Sequence, residues 1–113
     1  MKIKVIIKRP GRKPYSTYIE SSPENLRRTV GAPIKAELLT LDMAVIHAER
    51  RKGIAPDGRV WDLEHNCRLC GAEFYGEIVI CGIRGNVLTD LPIRWQEAKQ
   101  IFAELWDDGK RGS

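Results

Sequence analysis

Two cysteines and a neighbouring histidine form the motif with the most specific chemistry in this sequence. The run His65-Asn66-Cys67-Arg68-Leu69-Cys70 spaces two thiols as Cys-x-x-Cys, and Gly71 after it permits a tight turn. Thiolates at this spacing form half of a zinc knuckle, and His65 is a further candidate ligand. A closed zinc site needs four ligands, which a second copy of the chain would supply. Reduced cysteines in a turn, which we favour, and a redox dithiol are the alternatives.

Catalytic groups are otherwise missing from the pattern. Cys67 and His65 are two positions apart, so their side chains rarely face each other, and no acid is placed to orient the histidine. The glycines are scattered and form no phosphate-cradling loop. No two carboxylates have an acid–base spacing. We therefore expect a non-catalytic protein with no resident cofactor other than the candidate zinc.

Basic residues beside aromatic ones form two candidate anion-binding segments. The first is the turn at residues 9–14, which precedes an aromatic-rich strand, and the second is the charged loop at residues 49–59. Guanidinium and ammonium groups bind phosphate, while an aromatic ring stacks on a base. A solvated turn and a solvated loop are the alternative interpretations. We predict that a small anionic ligand, most plausibly a nucleotide, contacts Arg9, Arg12, Lys13, Tyr15, Arg50, Arg51, Arg59 and Trp61.

Positive charge is concentrated in the first half of the chain. Residues 1–60 contain thirteen Lys and Arg against six Asp and Glu, whereas residues 61–113 contain six against nine. A basic half favours anionic partners, namely a nucleotide, a nucleic acid or an acidic protein. It argues against an acidic mimic of DNA.

The length of the chain fits one domain. With 113 residues, we predict a single domain at residues 1–106 and a flexible polar tail at residues 107–113. No apolar run is long enough to span a membrane. Three cysteines, an odd number, favour the reducing cytoplasm, which is the host-cell cytoplasm if the protein is phage-encoded. Because a binder this small often builds its pocket between subunits, we also expect a homo-oligomer.

Hydrophobic patterning predicts more strand than helix. Ser22-Pro23-Glu24 predicts the start of a short helix that ends at Gly31, with Arg27 and Arg28 on a solvated face. A helix at residues 36–50 competes with two strands there, which we favour because the centre is β-branched. The predicted strands are at residues 2–8, 15–20, 34–41, 43–48 and 76–83, with a return strand after the turn Gly85-Asn86.

The last part of the chain predicts an amphipathic helix of about four turns. Asp90 is its predicted cap, and Pro92 fits the first turn. Its apolar stripe, expected to pack rather than bind a cofactor, contains Trp95, Ala98, Phe102, Leu105 and Trp106. Together these elements predict an α+β fold: a mostly antiparallel sheet of about five or six strands, a short early helix, and a C-terminal amphipathic helix packed on one face.

Four segments in this order carry a resemblance to a known family: MKIKVIIKRPG, SPENLRRTVG, DMAVIHAERRKGIAPDGR and GEIVICG. They resemble domain-of-unknown-function family 3846, small proteins encoded by phages and conjugative elements, over about residues 1–90. In that pattern a strand ends in an Asn-Glu-Glu-Gly-Lys-like turn. Ala48 stands where the family tends to Asn, and Asp57-Gly58 also replaces an Asn. The corresponding residues here are Glu49, Lys52, Gly53, Pro56 and Arg59.

The resemblance implies a setting more than a mechanism. It implies a small accessory protein of a phage or mobile element, among whose genes host-takeover and anti-defence factors are common. By analogy with non-enzymatic sponges of nucleotide immune signals, we expect this protein to sequester a nucleotide-type signal. The alternative is a nucleic-acid- or protein-binding accessory protein with the Cys67–Cys70 zinc half-site.

Overall fold

The computed structural model describes residues 1–106, and the predicted tail at residues 107–113 lies outside the described residues. No helix among the described residues has the length and apolar character needed to cross a membrane. In chain order, the elements are β1 (Lys2–Lys8), β2 (Tyr15–Glu20), α1 (Pro23–Val30), β3 (Ile34–Thr40), β4 (Met43–Ala48), β5 (Lys52–Ile54), β6 (Val60–Asp62), β7 (His65–Leu69), β8 (Ala72–Tyr75), β9 (Ile78–Arg84), β10 (Val87–Thr89), α2 (Trp95–Ile101) and a 3-10 helix (Ala103–Trp106).

A six-stranded antiparallel sheet organises the described residues. Its strand order is β2-β1-β9-β4-β3, and β10 pairs with the end of β9. Two separate hairpins, β5–β6 and β7–β8, stand beside this sheet. The broad α+β prediction is therefore confirmed. Residues 34–48 form the two strands β3 and β4, and the competing helix in that region is wrong.

Alternate side chains of the central strands enter two separate apolar clusters. One face of the sheet, which we call the α1 face, packs on helix α1, and the opposite hairpin face packs on β7 and β8. Buried residues of the α1 face include Ile3, Val5, Ile7, Ile46, Val79 and Cys81, with Leu26 and Val30 from α1. Those of the hairpin face include Ile6, Val45, Ile78 and Ile80, with Cys67, Leu69, Phe74, Ala98, Phe102 and Leu105.

Helix α1 begins and ends on the predicted signals. The Ser22 hydroxyl accepts a hydrogen bond from the Asn25 backbone N–H at 3.2 Å, which satisfies an otherwise unpaired donor. Gly31 ends the helix with φ 82°, a conformation that side chains with a Cβ rarely adopt. Ser22 and Gly31 therefore determine where helix α1 begins and ends.

The predicted cap of the C-terminal helix is wrong. Helix α2 begins at Trp95 after the N-cap Arg94, whose backbone N–H donates to the Glu97 carboxylate at 3.0 Å. The Asp90 carboxylate instead accepts the Lys4 backbone N–H at 2.8 Å, which fastens the chain to the edge of β1. The expected four turns are a two-turn α-helix followed by a 3-10 helix.

Candidate anion-binding groove

The sheet topology brings the two predicted basic segments to one end of the molecule. Strands β1 and β4 both pair antiparallel with β9, so they run in the same direction. Ile7, Val79 and Ile46 form one row across these three strands. Two strand spacings place Ile7 and Ile46 about 10 Å apart. The turn after β1 and the loop after β4 therefore leave the sheet side by side, at what we call the basic end.

Helix α1 adds two more cations to this end of the sheet. The helix lies on the α1 face and stops at Gly31, just before β3 begins opposite the last residue of β4. Arg27 and Arg28 occupy its last turn. They were predicted as a solvated face, and their position next to the charged loop follows only from the topology. The sequence signal that could have indicated it is a basic last turn followed directly by a return strand.

A groove of about 580 Å³ lies between the last turn of α1 and the β5–β6 hairpin. This hairpin is a correction to the predicted long loop, since residues 52–54 and 60–62 pair as strands. Trp61 is 46% exposed and Ile54 is 48% exposed, so both present apolar surface to the groove. The groove is lined by Glu24, Arg27, Arg28, Gly31, Ala32, Pro33, Ile54, Ala55, Pro56 and Trp61.

Gly53 fixes the position of the Trp61 ring. The two residues are directly opposite each other in the β5–β6 hairpin. A Cβ at position 53 would lie 2.3 Å from Trp61 Cε2, which is closer than two carbons can approach. The indole atoms Cε2, Cζ2 and Nε1 therefore occupy the space that a Cβ would fill, and any larger residue would displace the ring. An aromatic ring held in this way presents a preformed face for stacking.

Three arginines around the groove are free to meet a ligand, whereas Lys52 pairs with Asp62. Among residues 1–106, the side chains of Arg27, Arg28 and Arg50 make no ion pair or hydrogen bond. A second compartment of about 260 Å³ shares Pro33 and Ile54 with the groove and is also lined by Glu49, Arg50 and Lys52. The guanidinium groups of Arg27, Arg28 and Arg50 therefore outnumber the two carboxylates of these linings, Glu24 and Glu49.

Four of the predicted contact residues already have partners in the protein: Arg9, Tyr15, Arg51 and Arg59. Arg9 Nε lies 3.0 Å from Glu77 Oε1, and its guanidinium also lies over the Tyr15 ring at 5.8 Å. Burial raises the pKa of Glu77 even though Arg9 opposes the shift. The Arg51 guanidinium stacks on Tyr75 at 4.3 Å.

The remaining predicted contacts divide between two places. Arg59 binds the Asp57 carboxylate at 2.8 Å within the β5–β6 turn. Arg12 and Lys13 are exposed at the β1–β2 turn. Of the eight predicted contacts, Trp61 thus lines the groove and Arg50 lines the second compartment. Four others lie on the β1–β2 side of the basic end: Arg9, Arg12, Lys13 and Tyr15.

Cys67 and Cys70 lie in different environments. Cys67 packs in the hairpin-face core, while Cys70 is exposed in the β7–β8 turn. Among residues 1–106, no three His, Cys, Asp or Glu side chains are grouped to bind a metal ion. His65 Nε2 lies 2.6 Å from Glu73 Oε1. Burial, together with Glu104, raises the pKa of Cys70, so its thiol is less nucleophilic at neutral pH than a free cysteine.

Comparison with known proteins leaves the groove as the main evidence for function. No protein-family model matches the chain, and neither a curated protein nor a solved structure matches it.

Proposed function

We propose that this protein is a non-catalytic binder of a small anionic ligand, a nucleotide, held in the groove between α1 and the β5–β6 hairpin. One observation carries the proposal: Trp61, which is 46% exposed, lines the same concave surface as Arg27 and Arg28. An aromatic face next to unpaired guanidinium groups matches a base joined to a phosphate. The groove volume of about 580 Å³ lies in the usual range for small-molecule sites.

The two halves of the ligand would meet different chemistry. The base stacks on Trp61, with Ile54 and Pro56 providing apolar surface beside it. The phosphate binds Arg27 and Arg28. The C-terminal end of a helix carries partial negative charge, so the backbone of α1 opposes an anion here. The guanidinium groups must therefore supply the attraction, and binding should weaken as salt increases.

The setting we propose is the cytoplasm of a cell that hosts a phage or mobile element. In that setting the protein sequesters a nucleotide-type immune signal without altering it; among residues 1–106 the groove lining contains no Ser, Cys or His side chain. Its support is the resemblance to small mobile-element proteins together with the groove chemistry. The C-terminal helix would cover the hairpin face as scaffold, and Ala98 and Phe102 are buried in that cluster.

Calorimetric titration with AMP and with a cyclic dinucleotide tests the proposal. Stacking on an aromatic residue contributes about 1–3 kcal/mol per base, so Trp61→Leu should raise Kd about 5- to 150-fold. The double variant R27Q/R28Q should raise Kd at least as much. The matched control is R12Q/K13Q, which removes two exposed cations from the β1–β2 turn and should bind as the wild type does.

The alternative function predicts a different ranking of the same variants. A nucleic-acid-binding accessory protein would bind a single-stranded oligonucleotide with a steep dependence on salt, and R12Q/K13Q would weaken it. Zinc at one ion per two chains in protein purified without chelator would favour the Cys67–Cys70 half-site. The groove proposal is overturned if neither AMP nor the cyclic dinucleotide binds and the protein instead binds the oligonucleotide or contains zinc at this ratio.

A further inference from the structure

Strand β3 presents an open row of backbone hydrogen-bonding groups. In the described part of the chain it lies at the edge of the sheet and pairs only with β4. The Pro33 carbonyl accepts the Glu49 N–H at 2.9 Å, so it points toward the β4 side. Backbone groups alternate in direction along a strand. The N–H and C=O groups of Ile34, Ala36 and Leu38 therefore point away from the sheet, toward a further strand.

The side chains of β3 are complementary to a second copy of the same strand. If two copies pair antiparallel with Ala36 opposite Ala36, each Lys35 lies opposite a Glu37, and each Ile34 lies opposite a Leu38. Opposite charges directly across a strand pair are favourable, and like charges are unfavourable. Shifting the register by one pair either way places Glu37 opposite Glu37 or Lys35 opposite Lys35. The charges therefore select one register.

On the α1 face this strand is apolar and only partly covered: Ile34 packs against the core cluster, whereas Ala36 and Leu38 are exposed. Ile34 and Ala36 line a groove of about 550 Å³ that also contains Leu26 and Ile46. Leu38 lies two residues beyond Ala36 on the same face of the strand and is 67% exposed. In the selected register, Ile34, Ala36 and Leu38 meet the same three residues of the second copy. Within each chain Glu37 already lies 3.2 Å from His47 Nε2 and 3.7 Å from Lys35 Nζ. Pairing would thus bury apolar surface on one face and join these charged groups across the two copies on the other.

We propose that a second copy of this chain pairs with β3 in this register, which makes a two-fold dimer with one continuous sheet. The symmetry is that of the commonest homodimers, in which one patch contacts its own copy. Continued beyond Ile34, the same register brings the end of the second copy's β3 beside Pro33, which lines the ligand groove. The dimer thus adjoins the proposed ligand site without depending on it.

Site-directed crosslinking tests the register directly. The outward backbone groups make Ala36–Ala36 a hydrogen-bonded pair, whose Cα atoms are about 5.5 Å apart, a separation that a disulfide spans. Ala36→Cys in a Cys70→Ser background should therefore form a covalent dimer on mild oxidation. Leu38→Cys is the matched control, because its two copies are displaced by about 14 Å along the strands. Crosslinking of Leu38→Cys instead, or equally, overturns the register.

Charge reversal tests the same interface without new thiols. Lys35→Glu and Glu37→Lys each oppose like charges at both pairs, so each variant should dissociate with a Kd about 10- to 100-fold above wild type. Mixing the two variants opposes unlike charges again and should restore the dimer in sedimentation velocity. Lys99→Glu, an equal change on an exposed site of α2, should leave the wild-type dimer intact. A wild-type protein that stays monomeric at its highest soluble concentration overturns the proposal, as does a mixture that fails to recover.

Discussion

Asn66 connects three segments at the basic end, and its removal should be among the most destabilising single changes in the domain. The residue is fully buried. Its amide donates to the Lys8 carbonyl at 2.8 Å and to the Gly76 carbonyl at 2.7 Å. Its oxygen accepts from Lys8 Nζ at 3.2 Å, and that ammonium is itself buried and also donates to the Arg9 carbonyl. Asn66 thus joins the end of β1 to the β7–β8 hairpin.

The cost of Asn66→Ala follows from these bonds. Two neutral hydrogen bonds contribute about 1 kcal/mol each, and one to a charged group contributes about 1.5–3 kcal/mol. The free energy of unfolding should therefore fall by about 3–5 kcal/mol, a large part of the about 5–15 kcal/mol of a typical domain. With a urea m-value of about 1.5 kcal/mol/M, the midpoint of unfolding should fall by about 2–3 M.

Urea unfolding of four proteins checks the reasoning: wild type, Asn66→Ala, Lys8→Met and the double variant. Removing Lys8 removes the buried charge that Asn66 stabilises, so the two losses should be less than additive by about 1–2 kcal/mol. Asn66→Asp should also destabilise the fold, because a carboxylate would face two carbonyl oxygens. A loss below about 1 kcal/mol for Asn66→Ala would refute the account of this network.

Three further predictions follow from single contacts. Gly53→Ala should displace the Trp61 ring, because the new Cβ would lie 2.3 Å from indole Cε2. The variant should bind nucleotide more weakly in calorimetry, while its melting temperature changes little. Unaltered binding would mean that the ring position does not matter. Glu77 has a raised pKa in the folded protein, so the folded state binds its proton more tightly than the unfolded state does. As the pH rises from about 4.5, wild type should therefore lose stability relative to Glu77→Gln. Urea unfolding whose pH dependence is the same for both proteins would contradict this. Burial raises the pKa of Cys81 to about 11, so iodoacetamide below that pH should label native protein at exposed Cys70 and leave Cys81 unmodified. Mass spectrometry that finds Cys81 labelled first would contradict its burial.

Local signals in the sequence were sufficient to predict helix α1 and the six strands of the main sheet. The Ser22 cap and Gly31 set the bounds of α1, because both act through the backbone of adjacent residues. The Gly85-Asn86 turn between β9 and β10 is equally local. Residues 34–48 were harder, since their composition also suits a helix, and their β-branched centre was the deciding feature.

Features that depend on distant partners could not be predicted in the same way. Asp90 has the composition of a helix cap, yet it accepts the Lys4 N–H from the other end of the chain. Strands β5 and β6 contain three residues each, which is too short for a periodic pattern, so the Asp57-Gly58 turn was noticed without its hairpin. The groove itself requires α1 and this hairpin to meet, which no spacing in the sequence encodes.

The most direct test of the groove is a nuclear magnetic resonance titration of the three tryptophan indole N–H signals, with Trp61→Phe used for assignment. AMP and a cyclic dinucleotide are added in turn. We predict a saturable shift of the Trp61 signal with at least one of them, while the signals of Trp95 and Trp106, which lie in the C-terminal segment, stay in place. Ligand binding that leaves the Trp61 indole signal unmoved, while the backbone amide signals of the β1–β2 turn shift in the same titration, would contradict the account.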